Sequence, residues 1–385
     1  MIEKLKRRVI DRIEDVSDEI VAISEKIHSD PELGLEEYKA QGWLTESLED
    51  AGYAIERGLA GMETAFRAVH PETSPGPTIA ILAEYDALPD LGHACGHNLI
   101  AGAALGAGLG LFGLKSEIPG RLEVIGTPAE ESEGAKVTMV NSGVFDEVDV
   151  AMMFHPSTTT ASYSRSAASL EVELTFEGQS THAAASPEKG VDPLTALIQT
   201  FVCVDTLRQS NPEDTRIHGV ITDGGKKPNM FPKTVTARFT IRGSTNEKRD
   251  QVVDKLRACA ESAAESTGAG LSFDKANQGY QALIPHRKLA KVFGTNLERL
   301  GEDVEEGEDS MGSTDMGDVS QVCAAIHPYI SIADEEVAGH SPEFAKAAAS
   351  ESGYQAMLTA AKALALTAID VAVDQELFQK IRARD

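Results

Sequence analysis

Four groups of ionisable residues in this sequence carry side chains suited to metal and proton chemistry. Glu84 and Asp86 lie in AEYDALP, Cys95 and His97 in GHACGHN (92–98), Glu130 and Glu131 in TPAEE, and His155 in MMFHP. A fifth candidate, His340 in AGHSPEF, stands far along the chain. Taken singly, each has a plain explanation: a lone His is usually hydrogen-bonded or solvated, and paired Glu usually lie on the surface. Together they form a set. Cys95 and His97 are spaced so that on an extended stretch both point the same way. Carboxylate, imidazole and thiolate in combination suit zinc or a similar divalent ion. Adjacent glutamates permit a division of labour, one ligating metal and the other moving protons.

Such groups need firm elements beneath them. Ile2, Leu5, Val9, Ile13, Val16, Ile20, Ile23 and Ile27 step by three and four, which predicts one long amphipathic helix. The turn SDPELG (29–34) ends it, and a second helix runs to Ala51 and Gly52, where glycine is the stop. TIAILAEYDAL (78–88), LEVIGTPAEE (122–131) and VDVAMMFHP (148–156) each join an apolar body to a polar or ionisable tip, the design of buried parallel strands. NLIAGAALGAGLGLFGL, between the first two, predicts a closely packed helix. This alternation predicts a layered α/β catalytic domain, a sheet flanked by helices.

From residue 167 the period changes to two. Leu170, Val172, Leu174 and Phe176 alternate with Glu171, Glu173, Thr175 and Glu177, giving one wet face. A helical pattern (191–209), strands (215–222 and 233–242), a helix (246–267) and a strand (270–276) follow. That β-α-β-β-α-β order predicts an inserted α+β domain of ferredoxin-like type. The expected organisation is 1–166 as the first part of the catalytic domain, 167–282 as the insertion, and 283–385 as the catalytic domain resumed.

The chain has 385 residues, which favours two domains over one. With 35 Lys+Arg against 61 Asp+Glu its net charge is −26. That balance argues against nucleic acid or an anionic membrane as partner, since both need a basic face. Cysteines 95, 203, 259 and 323 are too scattered for a disulfide framework, so a reducing compartment is expected. MIEKLKRRVIDRIED lacks the apolar stretch of a signal peptide, and no run reads as a membrane span. The expectation is a soluble cytoplasmic protein. Gly108, Gly110 and Gly113 match the spacing of a dinucleotide fingerprint, but within a helical stretch they read as close-packing residues.

AEYDALP, GHACGHN, PAEE, the FHP strand end, GSTDMGDVS (312–320) and GHSPEF, taken in order, resemble the aminoacylase/carboxypeptidase superfamily of dinuclear metal amidohydrolases. SDPELGLEEY resembles that family's N-terminal signature, and the branch is that of aminobenzoyl-glutamate hydrolases, amino-acid-conjugate hydrolases and related dipeptidases. The resemblance implies two divalent ions, zinc or manganese with cobalt as a further option, held by Cys95, His97, Glu131, His155 and His340. It implies Glu130 as general base and acid, and Asp86 as the residue orienting a ligand. Glu84 stands where the wider superfamily places a metal-binding His, and Asn98 where many conjugate hydrolases have Asp. The insertion resembles the family's lid, which usually pairs two subunits. There His182 resembles the histidine lent to the partner's site, and Asn229 and Arg242 resemble the residues that hold the substrate's carboxylate end. The implied activity is cleavage of the amide bond of an N-acyl or N-aroyl amino acid, or a short dipeptide, in a homodimer. The competing reading is a non-catalytic binding or assembly protein that keeps the fold.

Overall fold

The computed structural model describes residues 1–334 and 336–383. The chain divides into two compact units, one of Met1–Arg165, Leu283–Asp309 and Thr314–Asp385, the other of Ser166–Ala282 with Ser310–Ser313.

The first unit begins with α1 (Ile2–Asp15), α2 (Ser17–Ser29) and α3 (Tyr38–Ala51). The single long helix expected at the N-terminus is in fact two. Val16, at φ −109° and ψ 11°, breaks the ladder although the apolar stripe continues across it. Gly52 stops α3 in the left-handed conformation at φ 110°, where a side chain would be strained. Then follow β1 (Ala54–Arg57), β2 (Phe66–Val69), β3 (Thr78–Ala83), α4 (His97–Phe112), β4 (Arg121–Gly126), α5 (Ala135–Asn141), β5 (Val150–Met152), β6 (His155–Ser157) and β7 (Ser164–Arg165).

The second unit is built from β8 (Ala168–Glu177), α6 (Pro193–Arg208), β9 (Thr215–Asp223), β10 (Thr234–Gly243), α7 (Asn246–Thr267) and β11 (Gly270–Lys275). Its antiparallel sheet has the order β11-β8-β10-β9, the ferredoxin-like arrangement. The inward-facing Val172, Leu174, Phe176, Val235, Ala237 and Phe239 form its core with Leu197 of α6 and Leu256 of α7. Cys203 of α6 and Cys259 of α7 are joined as a disulfide. The scatter of the cysteines along the sequence hid this pair, because helix packing brings together two residues that sequence distance kept apart.

The chain re-enters the first unit with α8 (Arg287–Leu300), β12 (Glu308–Asp309), α9 (Met316–Val322), β13 (Ala324–Ile326), β14 (Tyr329–Ser331), α10 (Pro342–Ala347), α11 (Glu351–Val373) and α12 (Gln375–Arg382). The main sheet has the order β1-β2-β4-β3-β5-β13, parallel from β4 to β13 and antiparallel at the β1–β2 edge. Helix α4 lies on β3 and β4, and α1, α2 and α11 pack on α4. Small residues make that possible. A Cβ at Gly110 would stand 2.5 Å from Ile13, and one at Gly108 would stand 2.8 Å from Val124. The glycines of the dinucleotide-like spacing therefore serve helix packing. Helix α11 corrects a second expectation, being long and apolar enough to cross a membrane, yet 72% of its most apolar window is buried inside this unit.

Candidate metal centre

Parallel strands deliver their C-terminal tips to one edge, and the chemistry collects there. Beyond β3, Glu84 and Asp86 are both buried. Asp86 Oδ1 accepts from His97 Nδ1 at 2.9 Å, and Asp86 Oδ2 accepts the backbone N–H of Glu131, also at 2.9 Å. One carboxylate thus fixes the ring at the start of α4 and the loop after β4. With Nδ1–H committed, the other ring nitrogen of His97 faces outward. His97 Nε2 lies 3.5 Å from Glu84 Oε2 and 3.8 Å from Glu131 Oε1. His97 Nε2 and Glu131 Oε1 are buried without a hydrogen-bond partner among the described residues.

The rest of the set closes around them. Cys95 Sγ is 3.4 Å from His155 Nε2, whose ring donates from Nδ1 to the Pro156 carbonyl at 2.7 Å. His340 Nε2 is 3.6 Å from Glu131 Oε1, and the His340 backbone N–H donates to Ala94 O at 3.1 Å. Among the described residues, three groups have ligand atoms within 4.8 Å of one another: Cys95, His97 and His155; Cys95, Glu131 and His340; His97, Glu130 and Glu131. All six residues expected to ligate metal or move its protons are therefore together. Two backbone positions here are strained, His340 at φ 56° and Ala129 at φ 55°, and such strain gathers at functional sites.

The electrostatics demand positive charge. Burial disfavours a charged His97, yet Cys95 and Asp86 outweigh it and raise its pKa well above the imidazole range. Burial, then the charges of Glu84, Asp315 and Glu131, raises the Glu130 carboxyl well above its ordinary value. Burial, then His97, lowers His155 to about 4, which leaves the neutral ring that ligates metals. A proton or a metal ion at His97 Nε2 would answer this demand. A thiol, a second imidazole and an orphaned carboxylate oxygen alongside make the donor set one that fits divalent metal.

Sequence reasoning overlooked several neighbours. Glu37, in SDPELGLEEY, is wholly buried and accepts the N–H of Ala129 at 2.8 Å. Lys136 and Asp315 form a buried ion pair at 2.8 Å. His327 packs on His155 with ring centroids 5.2 Å apart. Lys136 in GAKVTMV and His327 in CAAIHPYI gave only a faint signal, a polar residue inside an apolar run, whereas Glu37 and Asp315 have polar neighbours. The Asn98 amide donates to Ser24 Oγ at 3.0 Å and to Ala348 O at 2.9 Å, tying α4 to the core.

In the second unit, His182 and Asn229 are exposed neighbours, with His182 bridged to Met230 and Ala183 N–H donating to Asn229 O at 3.0 Å. Arg242 lies near the opposite end of β10 and donates to the Met311 carbonyl at 2.5 Å. Asn229 lies in the loop before β10, whereas Arg242 stands eight residues beyond Thr234, about 26 Å along the strand at roughly 3.3 Å per residue.

Residues 165–268 match the peptidase dimerisation domain. Across 99% of its length the chain is 37% identical to the Xaa-Arg dipeptidase of Mus musculus, and it covers 92% of that protein. The chain belongs to the amidohydrolase/peptidase superfamily of aminoacylases and carboxypeptidases. Another relative in this superfamily is a component of the p-aminobenzoyl-glutamate hydrolase of Escherichia coli, 30% identical over 78% of this chain and 66% of that one. Among solved structures, a dinuclear metal-binding peptidase of Bacillus subtilis has the same fold, at TM-score 0.72 and 20% identity over 96% of this chain and 99% of its own. The aminobenzoyl-glutamate utilization protein of Klebsiella pneumoniae does too, at TM-score 0.71 and 18% identity over 94% and 97%. As a member of this superfamily the chain is an enzyme, a peptidase or amidohydrolase.

Proposed function

We propose that this chain is a metal-dependent amidohydrolase that cleaves short dipeptides, or N-acyl and N-aroyl amino acids, bearing a free carboxylate. The observation that carries this reading is the pair of orphaned, buried atoms, His97 Nε2 and Glu131 Oε1, facing each other across 3.8 Å. Cys95, His97, Glu131, His155 and His340 would hold two divalent ions, zinc, manganese or cobalt. Such ions, when bound, acidify a water molecule and polarise a carbonyl. Glu130 takes the proton of the attacking water on its carboxylate and returns it to the leaving amine. Asp86 holds the His97 ring so that Nε2 is presented outward. His182, supplied by a second copy of the chain, would donate to the tetrahedral oxyanion. Arg242, whose guanidinium fork matches a carboxylate, and Asn229 would hold the substrate's free carboxylate.

Among these substrates a dipeptide with a basic leaving residue leads. A relative that matches 99% of the chain is an Xaa-Arg dipeptidase, and a net charge of −26 attracts cationic substrates. Homodimerisation through the second unit is supported by its match to a dimerisation domain and by exposed Ile198 and Val202 on α6 and Val220 on edge strand β9. A panel of Xaa-Arg dipeptides, N-acyl amino acids and p-aminobenzoyl-glutamate tests the proposal. Each substrate is assayed on chelated protein and again after reloading with zinc, manganese or cobalt. Hydrolysis should disappear on chelation and return with metal; turnover indifferent to metal would overturn the reading.

A further inference from the structure

Lys136, just inside the first turn of α5, is a completely buried lysine. Its Nζ donates to Glu84 Oε1 at 2.5 Å and to Asp315 Oδ1 at 2.8 Å, both buried carboxylates. Its backbone N–H donates to Asp315 Oδ2 at 2.9 Å. Asp315 therefore grips Lys136 at both ends and pins α5 to the start of α9. The second oxygen of Glu84 is the one 3.5 Å from His97 Nε2. A buried line of charged side chains runs from Asp315 through Lys136 to Glu84 by hydrogen bonds and on to His97 by the 3.5 Å approach, and it joins the three segments that carry Glu84, Glu130 and Asp315.

Carboxylates sealed from water are costly without a cation, and bound ions supply one only after they arrive. We propose that Lys136 is the built-in counter-ion of the metal centre, a positioning residue that keeps the carboxylates assembled before any ion binds. The inference rests on the metal-centre reading above. Lys136 donates to none of the five expected ligands, yet its charge competes with incoming cations for the same negative field. Its removal therefore has two consequences of opposite sign. The metal-free protein loses stability, and the metal binds more tightly because one fixed positive charge has gone. A residue that only filled space would weaken metal-free and metal-loaded protein alike.

The experiment uses the full chain, with thermal unfolding and manganese binding isotherms on wild type, Lys136→Met, Asp315→Asn and the double variant. Chelated Lys136→Met should melt about 5–10 °C below chelated wild type, as expected when a buried pair loses one partner. Saturating manganese should close most of that gap, and the affinity for manganese should rise on the order of tenfold. Asp315→Asn leaves Lys136 with surplus charge, so its manganese affinity should fall, and the double variant should return toward wild type. Equal losses with and without metal, or affinities of the two single variants moving in the same direction, would overturn the assignment. Should Lys136→Met fail to fold even with metal, an unchanged affinity in Asp315→Asn would overturn it and a reduced one would support it. Wild type that neither binds manganese nor is stabilised by it would instead remove the metal centre itself, and the role of Lys136 with it.

Discussion

Glu130 and Glu131 sit side by side in sequence, yet their surroundings differ, and the proposed roles differ with them. Glu131 holds an orphaned oxygen among His97, Cys95 and His340, whereas Glu130 lies in the field of Glu84 and Asp315. Glu130→Gln keeps size and polarity but cannot accept a proton. Turnover should fall at least about 10²-fold while metal content stays at the wild-type level, as measured by steady-state kinetics and elemental analysis. Glu37 offers a test through pH. Burial first, then Asp86, pushes its carboxyl from the ordinary 4.5 up to about 7. A carboxyl with a raised folded pKa holds more protons folded than unfolded. Its contribution is complete below about 4.5 and is lost as pH rises through about 7. Glu37→Gln keeps the acceptor for Ala129 and removes the titration, so the fall in stability across that window should flatten in chelated protein. Denaturant melts from pH 4.5 to 8 would show it, and an undiminished slope would contradict it. The residues proposed to hold metal stood out in the sequence because Cys95, His97, His155 and His340 are scarce types in distinctive spacings. Glu37 and Lys136 were not, because one Glu or Lys in an acidic, lysine-bearing chain looks like surface. Only contacts far along the chain reveal them, such as Glu37 with Ala129 and Lys136 with Asp315.

Elements were legible wherever a period persisted. The alternation from Leu170 to Phe176 and the helix at 246–267 emerge as β8 and α7, because a strand with one wet face and a long amphipathic helix write their geometry into composition. Short strands β1 and β2 went unread, since four residues are too few to display a period. The break at Val16 went unread for the opposite reason, since the stripe runs on across it. Helix α4 shows packing deciding what propensity would discourage: glycine weakens a helix, yet here it lets α1 and α11 approach. Gly110→Val would push against Ile13 and Val9. It should cost about 1–3 kcal/mol of stability by calorimetry. Because α4 meets the centre only at its first turn, kcat per folded molecule should remain near wild type. A large kcat loss with an unchanged melting temperature would show that the strain travels along the helix to His97.

For the whole molecule, the proposed dimer predicts complementation. A His182→Ala chain keeps its metal-binding residues but cannot serve its neighbour, and a Glu130→Gln chain has the reverse defect. Mixed dimers should recover one working site from two nearly inactive parents. Confirmed exchange of chains without any recovery would confine His182 to its own copy or remove it from catalysis. Ser310–Ser313 bears on the second unit in another way. Although far along the chain, this segment accepts the N–H of Ala167 through Gly312, donates from Ser313 Oγ to the Ala167 carbonyl, and offers Met311 to Arg242. The backbone therefore passes between the units at 165/166, 282/283, 309/310 and 313/314. A protease nick at any one of these crossings would leave the others intact. A gene segment moved as residues 166–282 alone would leave behind the carbonyl on which Arg242 rests, so recombination between relatives can exchange this insertion intact only by carrying two separate stretches of coding sequence.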